Sequence, residues 1–276
     1  MDWLWEAIGG AAASGCQAVQ GELLTVFGDG GAVVPNFCRL MAGAWLTVKL
    51  TVISLAIGFL VAVPVSLARL SRNPLINWPA LAYTFYFRGT PLLVQLFLIY
   101  FGSGQFTAEL RELGLWRGLF REAFFCALLA LTLNTAAYTA EILRGAMLGV
   151  PAGEVEAARA YGMSGLKLYR RIVFPKAMRI ALPAYSNEVV FLFQATSLVA
   201  LVTLLDLTGV ARDVIASTFR TFETYIFIGL LYLAISGVIF FAFKQVERRL
   251  MRHLRRSGDD KAAKAALVAQ AQETRA

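Results

Sequence analysis

The fold of this chain is decided by one stretch, Glu156-Ala157-Ala158, followed by Gly162 and then by Ile172 and Pro175. The stretch lies in the longest polar gap between apolar segments, at about residues 150–176. A long polar gap of this kind, placed between segments apolar enough to enter a membrane, is typical of a loop that faces the cytosol.

Residues 154–161 are predicted to form a short helix. Ala157 and Ala158 are strong helix formers, and Glu156 lies near the predicted start, where the helix dipole favours an anion. Gly162 is placed to end the helix, because glycine adopts the left-handed conformation at little cost.

A second short helix is predicted to follow, with Ser164 as its N-cap and with Ile172 near its end. Pro175 is expected to limit how far this helix runs. The two helices would form a knob with small residues on one side, against which another protein can pack closely. An amphipathic loop lying on anionic lipid headgroups explains the same residues, and the local pattern does not separate the two interpretations.

The composition indicates a membrane protein. Of the 276 residues, 58% are hydrophobic and only 16% are charged, and the mean hydropathy is +0.62. Soluble domains are nearer to about half apolar and about a quarter charged. The net charge of +8 does not indicate a nucleic-acid partner, because the cations lie in loops beside apolar segments and form no patch with interleaved aromatic residues.

The sequence offers few residues for metal or redox chemistry. Cys16, Cys38 and Cys126 are far apart, fit no metal-ligand spacing and are interpreted as small apolar fillers without a disulfide framework. His253 is the only histidine and lies in a basic tail. We therefore expect no metal site and no catalytic histidine.

The apolar segments predict an all-α, polytopic protein with about five transmembrane helices. The second is interrupted by Arg88-Gly89-Thr90-Pro91, in which Thr90 is predicted as the N-cap and Pro91 as the first residue of the following helix. That helix is too short to span alone, so either the aromatic segment before Arg88 contributes to the span or the helix is broken there. Four of the predicted spans are approximately residues 44–67, 123–143, 181–205 and 225–243. The second span contains residues 92–101, and residues 78–87 either begin it or lie along the membrane interface.

Three regions are expected along the chain. Residues 1–43 are predicted to be an external or interfacial extension, residues 44–250 the transmembrane domain, and residues 251–276 a cytoplasmic tail.

The distribution of Lys and Arg predicts the orientation. The Arg69–Asn77 loop, the Arg144–Arg179 loop and the Lys244–Arg256 segment hold 2, 7 and 6 of them, or 15 in all. The segments on the other side hold only 6. Because loops rich in Lys and Arg stay in the cytosol, the N-terminus is predicted to lie outside, and the 150–176 loop and the C-terminus inside.

Four stretches together resemble the permease subunits of ATP-binding-cassette importers. The Glu-Ala-Ala, Gly, Ile-x-x-Pro spacing is similar to the cytoplasmic EAA loop of these permeases, with Phe174 where the family usually has Leu. The other three stretches resemble the polar amino-acid branch, nearest to the histidine/lysine/arginine/ornithine and opine permeases: Arg88-Gly-Thr-Pro-Leu-Leu-Val-Gln95, Leu133-Asn-Thr-Ala-Ala-Tyr138 and Leu182-Pro-Ala-Tyr-Ser-Asn-Glu188.

The resemblance implies a machine of two permease subunits, two ATPase subunits and an external binding protein. This chain would be a permease subunit that passes polar, preferentially basic, amino acids or opines across the inner membrane. The chain contains no Gly-x-x-x-x-Gly-Lys-Ser/Thr loop, so ATP is expected on the partner subunit, and no cofactor or catalytic site is expected here. The residues implied to dock into a cleft of the ATPase are Glu156, Ala157, Ala158, Gly162, Ile172 and Pro175.

Polar residues in the fourth span are candidates for lining the substrate pathway. A carboxylate inside a span costs about 2.5–3.5 kcal/mol on insertion scales, so Glu188 should face a cavity or a partner. Asn187 beside it and Gln194 on a later turn would extend a polar lining. Glu188 is interpreted either as a counter-charge for a cationic substrate or as a structural hydrogen-bond partner of a neighbouring helix, whereas Asn134 is expected to make a helix–helix hydrogen bond.

Two other classes of protein remain as alternatives. A membrane-embedded enzyme needs paired carboxylates, a His/Asp set or a serine with a base at membrane depth, and the spans offer one central acid and no histidine. A secondary transporter typically has more spans and an inverted repeat. Neither alternative accounts for the EAA spacing. The sequence does not identify the substrate or say whether the second permease subunit is identical to this one.

Overall fold

The structure is a computed structural model, and it describes residues 10–27, 31–114 and 116–250. The predicted tail at 251–276 therefore lies outside the described residues. In these ranges the α-helices are α1 (Gly10–Phe27), α2 (Phe37–Arg69), α3 (Pro74–Gly89), α4 (Leu92–Ser103), α5 (Thr107–Glu112), α6 (Ala123–Leu148), α7 (Ala152–Ala160), α8 (Gly165–Leu168), α9 (Phe174–Ala195), α10 (Leu207–Thr218) and α11 (Thr221–Leu250).

Four helical segments are long and apolar enough to cross a membrane: Phe37–Arg69, Ala123–Leu148, Gly165–Val202 and Thr221–Leu250. The third of these contains α8, α9 and the 3-10 segment after α9. The helices α3 and α4 pass the same test together, although the chain bends by 102° between them. With this pair counted as one broken span, the prediction of an all-α membrane protein with about five spans is confirmed.

The helices α2 and α6 form the centre of the bundle and make the most extensive contact between any two elements. Their backbones approach closely at Gly58, where an added Cβ would lie 2.6 Å from the side-chain methyl of Thr135. Small residues at a helix interface permit such an approach inside a membrane. The buried alanines of α6 continue this small-residue surface: Ala127, Ala130, Ala136, Ala137 and Ala140.

The prediction for the start of α4 is wrong by one residue. Thr90 is the C-cap of α3 rather than the N-cap of α4, and it is extended because the proline ring that follows it disfavours the helical conformation. Pro91 is itself extended, so α4 begins at Leu92 with Pro91 in the N-cap position. The hydroxyl of Thr90 instead donates to the carbonyl of Tyr86 at 2.8 Å, at the end of α3.

The prediction that Pro175 limits the second helix of the polar loop is also wrong. The chain is helical without interruption from α8 through a π-helical turn, Tyr169–Val173, into α9. Pro175 lies in the first turn of α9, where a proline is tolerated, and the π-helical turn immediately before it absorbs the change in hydrogen bonding. The loop is therefore joined directly to the fourth span.

The interpretation of all three cysteines as apolar fillers is wrong for two of them. Cys16 and Cys38 form a disulfide that ties α1 to the start of α2, with their Cα atoms 5.8 Å apart. The two cysteines are 22 residues apart in the sequence, and they come together because α1 folds back beside α2. The sequence pattern alone therefore did not predict the disulfide. Cys126 is a buried free thiol, as expected of a filler.

Candidate functional site

The polar loop begins with α7, which ends in a turn suited to glycine. Gly162 has a φ of +76°, in the left-handed region. Its N–H donates to the carbonyl of Arg159 at 2.8 Å, and the N–H of Met163 donates to that of Ala158 at 3.0 Å. These two bonds form a Schellman motif. The predicted helix and its glycine stop are confirmed, although the helix begins two residues earlier than predicted, at Ala152.

The second helix of the loop begins where predicted. Ser164 occupies the N-cap position in an extended conformation, but its side chain makes no capping hydrogen bond. Gly165, the next residue, has a φ of +51°, so two glycines in the left-handed region turn the chain from α7 into α8.

One face of α7 is buried in a hydrophobic cluster that includes residues of three spans. Ala158 is only 6% exposed and belongs to a cluster with Ala62 of α2, Leu143 and Met147 of α6, and Ala177 of α9. Protein interiors are densely packed and transmit displacements. We therefore expect a displacement of α7 to reach the ends of these spans through the cluster.

A groove of about 470 Å³ lies beside this attachment. Tyr161 stands at its edge with 86% of its surface exposed, and Lys176 forms an ion pair with Glu154 that joins α7 to the start of α9. Glu156 and Gly162 are exposed on the surface of the same loop. The structure thus brings the six predicted coupling residues together in one small region, and four of them line the groove: Ala157, Ala158, Ile172 and Pro175.

The three candidates for the substrate pathway do not share one face of α9. Glu188 is 7% exposed, and its carboxylate accepts a hydrogen bond from the hydroxyl of Thr135 at 2.9 Å. Asn187 and Gln194 are exposed on another face, which they share with Phe191. An α-helix turns by about 100° per residue, so the neighbours Asn187 and Glu188 point in different directions.

A buried amide network fixes the break between α3 and α4. Gln95 is 2% exposed, and its Nε2 donates to the carbonyls of Phe87 and Thr90 at 2.9 and 3.0 Å. Asn134 of α6 donates from Nδ2 to Gln95 Oε1 at 3.0 Å and to the carbonyl of Phe87 at 3.1 Å. Asn134 therefore makes the expected hydrogen bonds to a neighbouring helix. One of them is accepted by a backbone carbonyl at the bend, where the regular helical hydrogen bonds are interrupted.

Arg88, at this break, is a charged residue to which the sequence patterns give no role. Its guanidinium carbon lies 5.3 Å from the ring centroid of Tyr138, and Tyr138 in turn packs against Phe191 with the ring centroids 6.4 Å apart. The only signal in the sequence is that Arg88 and Tyr138 both belong to stretches that carry the family resemblance.

Comparison with known sequences gives the same class of protein. Residues 54–252 match the family described as "binding-protein-dependent transport system inner membrane component". The chain is 48% identical over 234 residues to the nopaline transport system permease protein NocM of Agrobacterium fabrum, covering 85% of this chain and 97% of that protein. It is 45% identical over 213 residues to the histidine/lysine/arginine/ornithine transport system permease protein HisM of Salmonella typhimurium, covering 77% and 90% of the two chains.

Comparison with solved structures agrees. The fold is similar to a chain in the crystal structure of an amino acid ABC transporter with histidines, with a TM-score of 0.71 and 34% identity over 79% of this chain and 96% of that one. An inward-facing MetNI methionine ABC transporter has a TM-score of 0.66 at 22% identity, covering 78% of this chain and 98% of that one. The second likeness bears on the fold alone.

Proposed function

The chain belongs to the family of binding-protein-dependent transport system inner membrane components, and from that premise we propose what it carries and how it is driven. It is a multi-pass permease subunit of an importer. We infer that it receives a polar, preferentially basic, amino acid or an opine from an external binding protein and releases it to the cytosol. ATP is bound by a partner ATPase, because this sequence has no phosphate-binding loop.

The observation that carries the proposal is the position of α7. Its outward side presents Glu156, Ala157 and the turn at Gly162, and on its inward side Ala158 is buried in a cluster that includes residues of three spans. Small exposed residues allow a partner's backbone to approach, and the packed side provides a route from that partner to the membrane. This arrangement is what an ATPase needs in order to move the spans.

The substrate class is supported by the relatives and by one buried acid. The relatives named above are described as transporting nopaline or histidine, lysine, arginine and ornithine. Glu188 provides a carboxylate inside the fourth span, where a cationic side chain of a substrate would gain a counter-charge. The same carboxylate accepts a hydrogen bond from the hydroxyl of Thr135, and Glu188→Gln separates the role of the charge from that of the hydrogen bond.

The orientation that places α7 in the cytosol rests on two observations. The first is the excess of Lys and Arg on the side of α7, 15 against 6. The second is the disulfide between Cys16 and Cys38, which lies before and at the start of the first span. Disulfides persist in oxidising compartments, so this bond favours an external N-terminal region.

Transport of labelled amino acids tests the proposal. We expect deletion of the gene to abolish high-affinity uptake of one member of a panel that contains histidine, lysine, arginine, ornithine, glutamine, octopine and nopaline. Expression of this chain should restore the uptake. Unchanged uptake of every compound in the panel would contradict the proposed substrate class.

A further inference from the structure

The helix α3 is attached to the rest of the bundle more by polar contacts than by apolar packing. Of its 16 residues, Ala80 and Thr84 alone are buried. None of its residues belongs to the clusters of buried apolar side chains in the described part of the chain. A helix with so few buried apolar contacts depends for its position on the hydrogen bonds that tie it to its neighbours.

Hydrogen bonds of this kind occur along the whole of α3. Near its start, Asn77 Oδ1 accepts from Nη1 of Arg69 at 2.6 Å. In its middle, the hydroxyl of Tyr83 donates to a backbone carbonyl of α6 at 2.7 Å. At its end, the carbonyl of Phe87 accepts from Asn134 of α6. The middle and the end of α3 are therefore tied to α6 directly, whereas its start is tied to Arg69, the last residue of α2.

Arg69 is in turn held by a carboxylate of α6. Its Nε donates to Glu141 Oε1 at 2.9 Å, and Arg144 donates to the other oxygen at 2.7 Å. The side chains of Arg69 and Glu141 are only 14% and 11% exposed. Hydrogen bonds between ionised groups are among the strong ones, so Arg69 is fixed to α6 on one side while it holds α3 on the other. We call Arg69, Asn77, Glu141 and Arg144 the clasp.

The clasp adjoins the hydrophobic cluster in which α7 is buried. Leu70, the residue after Arg69, and Ile142, the residue after Glu141, both pack against the cluster that contains Ala158 of α7. A displacement of α7 that reaches the ends of α2 and α6 would therefore reach the clasp as well.

α3 also has space in which to shift. A cavity of about 420 Å³ is lined by clasp residues, among them Arg69 and Glu141, and by residues of α3, among them Leu81 and Thr84. Protein interiors are usually closely packed, so a cavity of this size lets a helix change its position without displacing a packed core. The hydrogen bond from Arg69 then determines which neighbour the start of α3 follows.

We propose that Arg69 is a positioning residue of the transport cycle: bound to Glu141, it makes the start of α3 follow the displacement of α7. The inference rests on the proposed function, because it assumes that an ATPase moves α7. It extends that function from the polar loop to the broken span that α3 begins. Without the bond to Asn77, ATP hydrolysis continues but α3 no longer moves with α6.

The test is the ratio of compound imported to ATP hydrolysed by the complete complex in proteoliposomes, with the binding protein outside and ATP inside. The radiolabelled probe is the compound of the uptake panel that the wild type imports. Asn77→Ala removes the acceptor for Arg69 and leaves both ion pairs of Glu141 in place. We expect the ratio to fall several-fold, while the rate of substrate-stimulated ATP hydrolysis stays close to that of the wild type.

Two variants separate this contact from its neighbours. Asn77→Asp keeps the acceptor for Arg69 but loses the hydrogen bond that Asn77 Nδ2 donates to the carbonyl of Ser71 at 3.4 Å, so its ratio should remain near that of the wild type. Asn73→Ala is the matched control, because Asn73 Oδ1 accepts from the N–H of Leu75 within the first turn of the same helix. It should also leave the ratio unchanged.

Glu141→Gln breaks the same link at its other end. One acceptor oxygen becomes an NH₂ group, which cannot accept a hydrogen bond from an arginine. Glu141→Gln should therefore lower the ratio as Asn77→Ala does, and the double variant should be no worse than the worse single variant, since both changes act on one link.

An unchanged ratio in Asn77→Ala would overturn the inference, as would equal falls in Asn77→Ala and Asn73→Ala. Failure of Asn77→Ala to assemble with the other subunits would also overturn it, because the contact would then serve the fold. Losses that multiply in the double variant would contradict a single link. The wild type imports the probe in all of these cases, whereas a wild type that imports no compound of the panel would contradict the proposed function instead.

Discussion

Gly162 is the residue on which the shape of the polar loop at 150–176 depends. Its φ of +76° is accessible to glycine at little cost and is strained for a β-branched residue, although no neighbouring atom would clash with an added Cβ. We expect Gly162→Val to open the Schellman turn and to lower substrate-stimulated ATP hydrolysis by the complete complex several-fold.

Gly153 offers a control for this substitution within the same helix. It also has open space around its Cα, but it lies in the first turn of α7 at an ordinary φ. Gly153→Val should therefore keep most of the ATP hydrolysis. Equal rates for the two variants, at equal abundance in the membrane, would remove the turn from the coupling mechanism.

Glu188 is the residue whose charge is expected to distinguish substrates. Glu188→Gln keeps the shape and the hydrogen bond from Thr135 but loses the negative charge. Replacing a charge-assisted hydrogen bond by an ordinary one is worth on the order of 1 kcal/mol, or a several-fold change in binding. Uptake of lysine should fall by more than uptake of glutamine. A purely structural Glu188 would reduce both by the same factor, or neither.

Individual polar residues of the spans were easier to predict from the sequence than the groups that they form in the structure. The isolated polar residues Asn134 and Glu188 could be identified, because an apolar span makes each of them conspicuous. Sequence proximity grouped Asn187 with Glu188, whereas helical geometry separates them. Arg88 escaped notice because its contact with Tyr138 joins residues 50 positions apart, a relation that local pattern does not contain.

Among the elements, α1 is held by a bond that can be tested directly. In the chain-entropy treatment, a disulfide between residues 22 positions apart adds about 3 kcal/mol to the free energy of unfolding. Cys16→Ser and Cys38→Ser should each lower the thermal stability of the purified subunit, and the double variant should be no worse than either. Peptide mapping without reductant should recover the peptides of Cys16 and Cys38 joined.

Cys126→Ala is the control for the disulfide, since Cys126 is buried and unbridged. It should leave the joined peptides unchanged. Reaction of Cys16 with a maleimide in the native, unreduced protein would contradict the bond.

The two helix boundaries that were predicted wrongly both lie at a proline. The apolar composition predicted which segments form the spans, but the position of a single proline did not predict where a helix begins or ends. Thr90-Pro91 looks like a helix start, yet the amide network around Gln95 stabilises an extended pair at the bend. Pro175 looks like a stop, yet the π-helical turn before it lets the helix continue. Both outcomes depend on hydrogen bonds that local sequence does not specify.

For the whole molecule, the central prediction is its orientation in the membrane. Reporter fusions after Ser71, Gly165 and Ser257 should give the cytoplasmic signal, and fusions after Thr107 and Arg212 should give the external one. The excess of Lys and Arg on one side supplies the physical reason. A reporter after Gly165 that reads as external would place α7 beyond the reach of a cytosolic ATPase.

The most direct test of the account is whether α7 touches an ATPase. Ala157 is exposed on α7, so Ala157→Cys adds a reactive thiol. The native cysteines do not compete with it, because Cys16 and Cys38 are bonded to each other and Cys126 is buried. This thiol would carry a photo-cross-linker in inner-membrane vesicles, and Glu109→Cys, in an exposed helix predicted to lie outside, would be the control.

We expect illumination to join the Ala157→Cys subunit to the ATPase, with a yield that changes when ATP is added, and the Glu109→Cys subunit to give no such product. Cross-links from position 157 to lipid alone, in vesicles where the complex is intact, would instead support the interpretation of the loop as a membrane-surface helix and contradict its role in coupling.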